Sequence, residues 1–128
     1  MKNIIKFSYN WNNKLSGQAF TTIRLKDDSR FIPGQTYEIF LKHGKEERFF
    51  CYAMIEAIKN LRLSEITTFM ARLDTGYSRE ECIRIIQTMY KNVVKDWNTQ
   101  QLMFILLVKE KTQKEKFVEN TAITAATI

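Results

Sequence analysis

The chain has 128 residues, which is the size of one domain and leaves little room for a second. Hydrophobic residues make up 45% and charged residues 27%, and one proline and four glycines argue against a disordered or fibrous chain. The net charge of +6 favours a polyanionic partner, but no run of five or more basic residues appears, so a merely basic surface explains the charge equally well.

The same composition argues against membrane and metal-binding classes. The longest apolar run, 102–108, is too short to cross a bilayer, and residues 1–3 do not lead into the apolar stretch of a signal peptide. Two cysteines are too few for a disulfide scaffold, so we expect Cys51 and Cys82 to be reduced thiols in a cytoplasmic protein. One histidine and two cysteines are also too few for a structural zinc site, and we expect neither a metal nor another cofactor.

The first half of the chain has the two-residue alternation of β-strands. We predict strands at 20–26, 35–42 and 48–58, with a hairpin turn at His43-Gly44 between the second and the third. The third strand is apolar on both faces over 49–55, which predicts a strand covered on both sides.

After residue 64 the apolar period changes to that of helices. The first predicted helix is capped by Ser64 or a neighbour, ends at Gly76 and carries an apolar stripe of Ile66, Phe69, Met70 and Leu73. The second begins with the capping box Ser78-Arg-Glu-Glu81, and its stripe comprises Cys82, Ile85, Ile86, Met89, Tyr90 and Val93. Residues 101–110 then predict a buried central strand, so the element order indicates an α+β fold.

Four short motifs accompany this order of elements. They are Gly17-Gln-Ala-Phe-Thr-Thr22-Ile-Arg24, the Pro33-Gly34 turn, Phe49-Phe-Cys-Tyr-Ala-Met-Ile-Glu56 and Asp74-Thr-Gly-Tyr77. Over residues 4–110 the chain resembles the ASCH domain family of the PUA-like superfamily. The resemblance implies a small β-barrel with two consecutive helices packed on it, within a domain at 1–111 that is followed by a C-terminal extension at 112–128. It also implies association with RNA, and one branch of the family hydrolyses the amide of an N4-acylated cytidine.

The hydrolytic branch carries a G-x-K-x-x-T-x-R motif and a downstream acidic residue. The resemblance places Thr22 as nucleophile and Asp74 as the acidic residue, but the lysine position is Ala19. Alanine cannot accept a proton from a threonine hydroxyl or lower its pKa. Lys14 and Lys26 are the nearest alternatives, and their spacing places neither in the vacant position. The sequence therefore favours a module without catalytic activity.

One face of the first predicted strand carries side chains that can bind a ligand without any catalytic step. Alternation places Thr22, Arg24 and Lys26 together, opposite a core face formed by Thr21, Ile23 and Leu25. An arginine fork and a lysine on one strand can contact phosphate or a base edge, and a threonine adds a short hydrogen bond. The alternative is that Arg24 pairs with Asp27, Asp28 or Glu56 and only tethers the strand.

Other chemically capable residues have structural explanations. Cys82 lies on the apolar stripe of the second helix, and His43 lies at a hairpin tip. Tyr9, Trp11 and Tyr52 are candidates for stacking on bases, but aromatic residues of so small a domain mostly form its core.

These observations lead to one main hypothesis and two alternatives. The main hypothesis is an RNA- or nucleotide-binding module with its cleft at Thr22, Arg24, Lys26, Asp74 and Tyr77. The alternatives are an amidohydrolase acting on an N4-acylated cytidine-type nucleoside and a protein-interaction module. For the cleft we predict a concave pocket lined by Thr22, Arg24 and Asp74. Because of Ala19, we expect it to be less positive than in the hydrolytic relatives, with no lysine ammonium within hydrogen-bond reach of Thr22.

Overall fold

The structure is a computed structural model, and it describes residues 3–110 of the chain. These residues form five β-strands and two α-helices. The predicted extension at 112–128 lies outside these residues. In chain order the elements are β1 (Ile4–Phe7), β2 (Ala19–Leu25), β3 (Thr36–His43), β4 (Glu46–Arg62), α1 (Thr68–Asp74), α2 (Arg79–Met89) and β5 (Gln101–Lys109). Short 3-10 helices lie at Trp11–Ser16, here called the Trp11 segment, and at Leu63–Glu65. The predicted α+β class is confirmed, and β1 is a strand that the sequence pattern did not indicate.

All five strands belong to one mixed sheet with the order β1-β3-β4-β5-β2. β1 runs parallel to β3, and the other three pairs are antiparallel. β5 has a partner on each side, as predicted for a buried central strand. Within the described residues β1 and β2 do not pair, so the sheet is not closed into a barrel.

The two edge strands nevertheless lie close to one another. The rings of Phe7 on β1 and Phe20 on β2 meet edge to face with their centroids 5.8 Å apart. The guanidinium of Arg24 on β2 donates a hydrogen bond from Nη2 to the backbone carbonyl of Lys6 on β1 at 2.7 Å. Side chains therefore bridge the gap between the two edges.

Two apolar clusters lie on the two faces of the sheet. One contains Phe7, Leu15 and Phe20 beside residues of β3, β4 and β5, and the other joins Ile23 and Leu102 to the helices. The expectation that only the Ile23 face of β2 enters the core is wrong, because Phe20 is buried on the opposite face. β2 is covered on both sides because the curved sheet encloses one face and the helices cover the other.

Three apolar patterns of the sequence differ from the structure. Phe69 and Leu73 are exposed on α1, whose buried residues are Met70, Ala71 and Asp74. Phe49 and Tyr52 are exposed on β4, because β4 extends beyond the area that the helices cover. The apolar stripe of α2 is buried at Cys82 and Ile86, but its end is exposed at Met89, and Val93 beyond the helix is exposed as well.

Candidate functional site

A small pocket lies where the edge strands, the Trp11 segment and α2 meet. This cavity, here called the deep pocket, has a volume of about 70 Å³. Its polar lining includes Lys14, Thr22, Arg24, Asp74 and Thr75, and its apolar lining includes Phe7, Trp11, Ile86 and Tyr90. The predicted concave site at Thr22, Arg24 and Asp74 is therefore present as a cavity.

The strand alternation of β2 brings two of these residues to the same side. Thr22 pairs with Ile105 and Arg24 with Met103 on β5, and both partners belong to the cluster that contains Phe7. Arg24 donates from Nε to the hydroxyl of Thr22 at 2.8 Å, in addition to its bond to β1. Arg24 thus tethers two strands, as the structural alternative supposed, but its partners are a hydroxyl and a carbonyl rather than the carboxylates considered there. Its Nη1 has no hydrogen-bond partner among residues 3–110.

Lys14, which the spacing of the sequence did not place in the site, is one of its lining residues. Its ammonium lies 3.0 Å from Oδ1 of Asp74, and the two side chains are only 6% and 8% exposed. The hydroxyl of Thr21 donates to the same carboxylate oxygen at 3.0 Å. The cleft is therefore more positive than expected from Ala19, which is itself exposed at the first residue of β2. The hydrogen bond of Lys14 goes to Asp74 and not to Thr22.

The local chain explains how Lys14 reaches this position. Asn12 and Asn13 both have positive φ values, 56° and 52°, inside the Trp11 segment. Asparagine is among the few residues that tolerate this left-handed backbone. The carboxamide oxygen of Asn10 accepts a hydrogen bond from the backbone N–H of Leu15 at 3.0 Å, and Leu15 is fully buried. The anchored Leu15 holds the neighbouring Lys14 over the pocket.

Asp74 reaches the pocket from the end of α1. The hydroxyl of Thr67 caps the helix by accepting the N–H of Met70 at 3.1 Å. The turn after the helix needs Gly76, which has a φ of 81° and packs so tightly that an added Cβ would lie 2.9 Å from the side chain of Asn12. The turn between the helices and the Trp11 segment therefore position Asp74 against Lys14.

Burial and charge set the protonation of the site. Burial lowers the pKa of Lys14, and the attraction and hydrogen bond of Asp74 offset part of that effect. Burial also lowers the pKa of Arg24, but a guanidinium keeps its charge in proteins. Both cations lie close to Phe7, with Lys14 Nζ 5.5 Å and Arg24 Cζ 4.9 Å from the ring centroid. Two cationic side chains and one carboxylate therefore meet in the pocket.

Two predicted site residues lie away from the pocket floor. β2 ends at Leu25, and Lys26 lies 3.8 Å from the carboxylate of Asp28 outside the pocket lining. Tyr77 is half exposed and lies outside the pocket lining, with its ring centroid 5.8 Å from that of Trp11. Its backbone N–H donates a hydrogen bond to the hydroxyl of the lining residue Thr75 at 3.1 Å. The structure therefore groups Thr22, Arg24 and Asp74 but does not add Lys26 to them.

Cys82 and His43 lie where the sequence indicated, whereas the candidate stacking residues do not lie in the core. Cys82 is fully buried, and burial raises the pKa of its thiol to about 11. His43 is exposed at the end of β3. Trp11 lines the pocket together with Tyr9, whereas Tyr52 lies on the exposed face of β4. Across residues 3–110 no group of three or more His, Cys, Asp or Glu side chains is arranged to hold a metal ion, and no helix is long and apolar enough to cross a membrane.

Comparison with known proteins gives no relative for this chain: no family model, no curated protein and no solved structure matches it.

Proposed function

We propose that this chain is a non-catalytic module of the ASCH type, with a PUA-like architecture, that binds RNA or a nucleotide at the deep pocket. The observation that carries the proposal is the pair of cations, Lys14 and Arg24, that lie beside the ring of Phe7 and line the deep pocket. Lys14 uses one of its three donors on Asp74, and Nη1 of Arg24 has no partner among the described residues. Donors therefore remain for an anionic group of the ligand.

The size of the pocket limits what can enter it. Its volume of about 70 Å³ is far below the roughly 300 to 1,000 Å³ of sites that enclose a whole small molecule. Only a group of a few atoms, such as a phosphate or the polar edge of a base, fits at the floor. The rest of the ligand must lie in the wider cleft above it.

Fluorescence anisotropy with short labelled RNAs tests the proposal. Two or three contacted phosphates predict an affinity that falls about tenfold between 50 and 200 mM salt. Arg24→Ala should weaken binding by about 1 to 3 kcal/mol, because a charge-assisted hydrogen bond to the ligand is lost. Lys59→Ala is the matched control, since this exposed lysine of β4 is not among the pocket-lining residues and its loss removes the same charge.

Two outcomes would count against the proposal. Undetectable or salt-insensitive binding would remove it, and so would an equal loss of affinity in Arg24→Ala and Lys59→Ala. If Arg24→Ala does not fold because the tether to β1 is lost, Lys6→Ala provides the second test. Lys6 lines the same pocket, but its side chain is mostly exposed and pairs with Glu47 at the surface.

Amide hydrolysis is a second candidate function, which the presence of Lys14 in the same pocket as Thr22 favours. A lysine whose pKa is lowered by burial has a larger neutral fraction, and a neutral amine can accept the proton of Thr22 as its oxygen attacks an amide carbon. The proton would pass to the departing cytidine nitrogen, and water would then cleave the acyl ester on Thr22. Asp74 would orient the amine through its 3.0 Å hydrogen bond.

Incubation with N4-acetylcytidine, followed by chromatographic detection of cytidine, tests this second candidate. Activity that Thr22→Val abolishes, in a variant whose circular dichroism matches that of the wild type, would support it. Activity that appears only in Ala19→Lys, which restores the family motif, would indicate a decayed site. Absence of cytidine from both the wild-type and the Ala19→Lys reactions would leave the binding module as the better account.

A further inference from the structure

An apolar groove continues outward from the deep pocket. This aromatic groove has a volume of about 260 Å³ and runs between the Trp11 segment and α2. Its lining residues are Tyr9, Trp11, Glu81, Arg84, Ile85, Thr88 and Met89. Four of them, Tyr9, Trp11, Ile85 and Met89, also line the deep pocket, so the two cavities adjoin one another.

The aromatic side of the groove is held in place by its neighbours. The rings of Tyr9 and Trp11 are tilted against one another with centroids 4.9 Å apart, and Tyr77 meets Trp11 edge to face on another side. The next two residues, Asn12 and Asn13, hold a left-handed backbone that costs of order 1 kcal/mol or more per residue. Such conformations persist where the surrounding structure fixes them, and they cluster at ligand sites.

Folding alone does not account for the apolar surface of the groove. Tyr9 is 58% and Met89 51% exposed, and neither belongs to the two apolar clusters of the domain or to the side chains packed against them. Met89 ends the apolar stripe of α2, so the stripe extends past the core and into the groove. The two charged residues that line the groove, Glu81 and Arg84, form a salt bridge with one another. The walls therefore present apolar and aromatic surface rather than free charge.

We propose that the aromatic groove is the subsite for the base of a nucleotide whose phosphate lies in the deep pocket. This inference rests on the proposed function and adds the orientation of the ligand. The cationic floor has space for a few atoms, and the groove is several times larger and lined by a flat indole. Together the cavities reach the lower end of the volume range of small-molecule sites, about 300 Å³. A planar ring joined to an anionic group is the ligand that matches both parts.

The test compares two probes that differ only in the base. Ribose 5-phosphate offers the phosphate and the sugar, and adenosine 5′-monophosphate adds the ring. Base stacking on an aromatic side chain corresponds to roughly a tenfold to hundredfold gain in affinity. By titration calorimetry the nucleotide should therefore bind at least about tenfold more tightly than ribose 5-phosphate. Trp11→Ala should remove this difference and leave ribose 5-phosphate binding unchanged, whereas Trp11→Phe should keep most of it.

Tryptophan fluorescence gives a readout that does not depend on the Trp11 variants folding. The chain has two tryptophans, and Trp97 packs against the cluster beneath the helices. In Trp97→Phe the remaining emission comes from Trp11, and adenosine 5′-monophosphate should quench it while ribose 5-phosphate should not. In Trp11→Phe neither probe should change the emission of Trp97.

The outcomes separate this inference from the proposed function. If the two probes bind wild-type protein equally well, or if the nucleotide leaves Trp11 emission unchanged, the base subsite is refuted and phosphate binding at the deep pocket stands. If neither the probes nor short RNAs bind, the proposed function is refuted and the subsite with it. If Trp11→Ala weakens the affinity for both probes by the same factor, the base subsite is also refuted.

Discussion

Replacement of Lys14 by methionine should strongly destabilise the fold. Methionine keeps the length of the side chain but leaves the Asp74 carboxylate buried without its cation. At the observed 3.0 Å separation, an effective dielectric constant of about 20 corresponds to roughly 5 to 6 kcal/mol of attraction. Some hydration is regained in the variant, so we expect the free energy of unfolding to fall by about 3 to 5 kcal/mol, the usual cost of breaking a buried ion pair.

Urea denaturation followed by circular dichroism measures this loss. A domain of this size should also lose about 10 to 20 °C in Tm. Lys6→Met is the matched control, because Lys6 pairs with Glu47 at 2.9 Å while the two side chains are 57% and 47% exposed. A surface pair of this kind contributes about 0 to 1 kcal/mol. If Lys14→Met loses less than about 1 kcal/mol, or no more than Lys6→Met, the buried pair does not exist in solution.

The same pair predicts a direction for the dependence of stability on pH. Burial lowers the pKa of Lys14 in the folded state, so the unfolded chain binds the proton more tightly. The free energy of unfolding should therefore rise as pH increases from the lowered pKa towards the ordinary value of 10.5. Relative to wild type, Lys14→Met should lack this rise. If the difference in free energy of unfolding between wild type and Lys14→Met becomes smaller as pH rises through this window, the lowered pKa of Lys14 is contradicted.

Three smaller predictions concern neighbouring elements. Thr67→Ala removes the cap of α1 and should cost about 1 kcal/mol in urea denaturation. Gly76→Ala should destabilise more than Gly44→Ala in the same assay: both glycines have positive φ, but an added Cβ has free space only at Gly44. With a thiol-reactive dye at pH 8, half-buried Cys51 should react first and Cys82 only on unfolding, because burial removes Cys82 from solvent and raises its pKa to about 11. Equal reaction rates would contradict this order.

The alternation of residues along β2 was enough to predict the part of the site that β2 contributes. A period of two is a geometric property of β-structure, so the sequence alone places Thr22 and Arg24 on one side of β2. It could not show which face is buried, because the curved sheet and the helices bury both. It also could not reveal β1, whose four residues are too short for a periodic signal and pair in parallel with a distant strand.

The sequence predicted less well which side chains of α1 are buried, and the reason is physical. α1 has only seven residues, so its rotation depends on its caps and its ion pair more than on its apolar stripe. This is why Phe69 and Leu73 face outward while Asp74 faces inward. The spacing of the sequence did not place Lys14 in the site because the Trp11 segment has no regular period. The available signal was the Asn12-Asn13 pair, whose tolerance of positive φ indicates a sharp local change of chain direction.

The way in which the two sheet edges face one another has a consequence for solubility. Exposed strand edges offer unpaired N–H and C=O groups to other chains and so promote aggregation. Here the terminal strands of the sheet, β1 and β2, are turned towards each other, and Arg24 occupies the carbonyl of Lys6 across the gap. An incoming strand would have to displace that guanidinium and separate Phe7 from Phe20. The residue that holds the pocket together thus also protects these strand edges from edge-to-edge association.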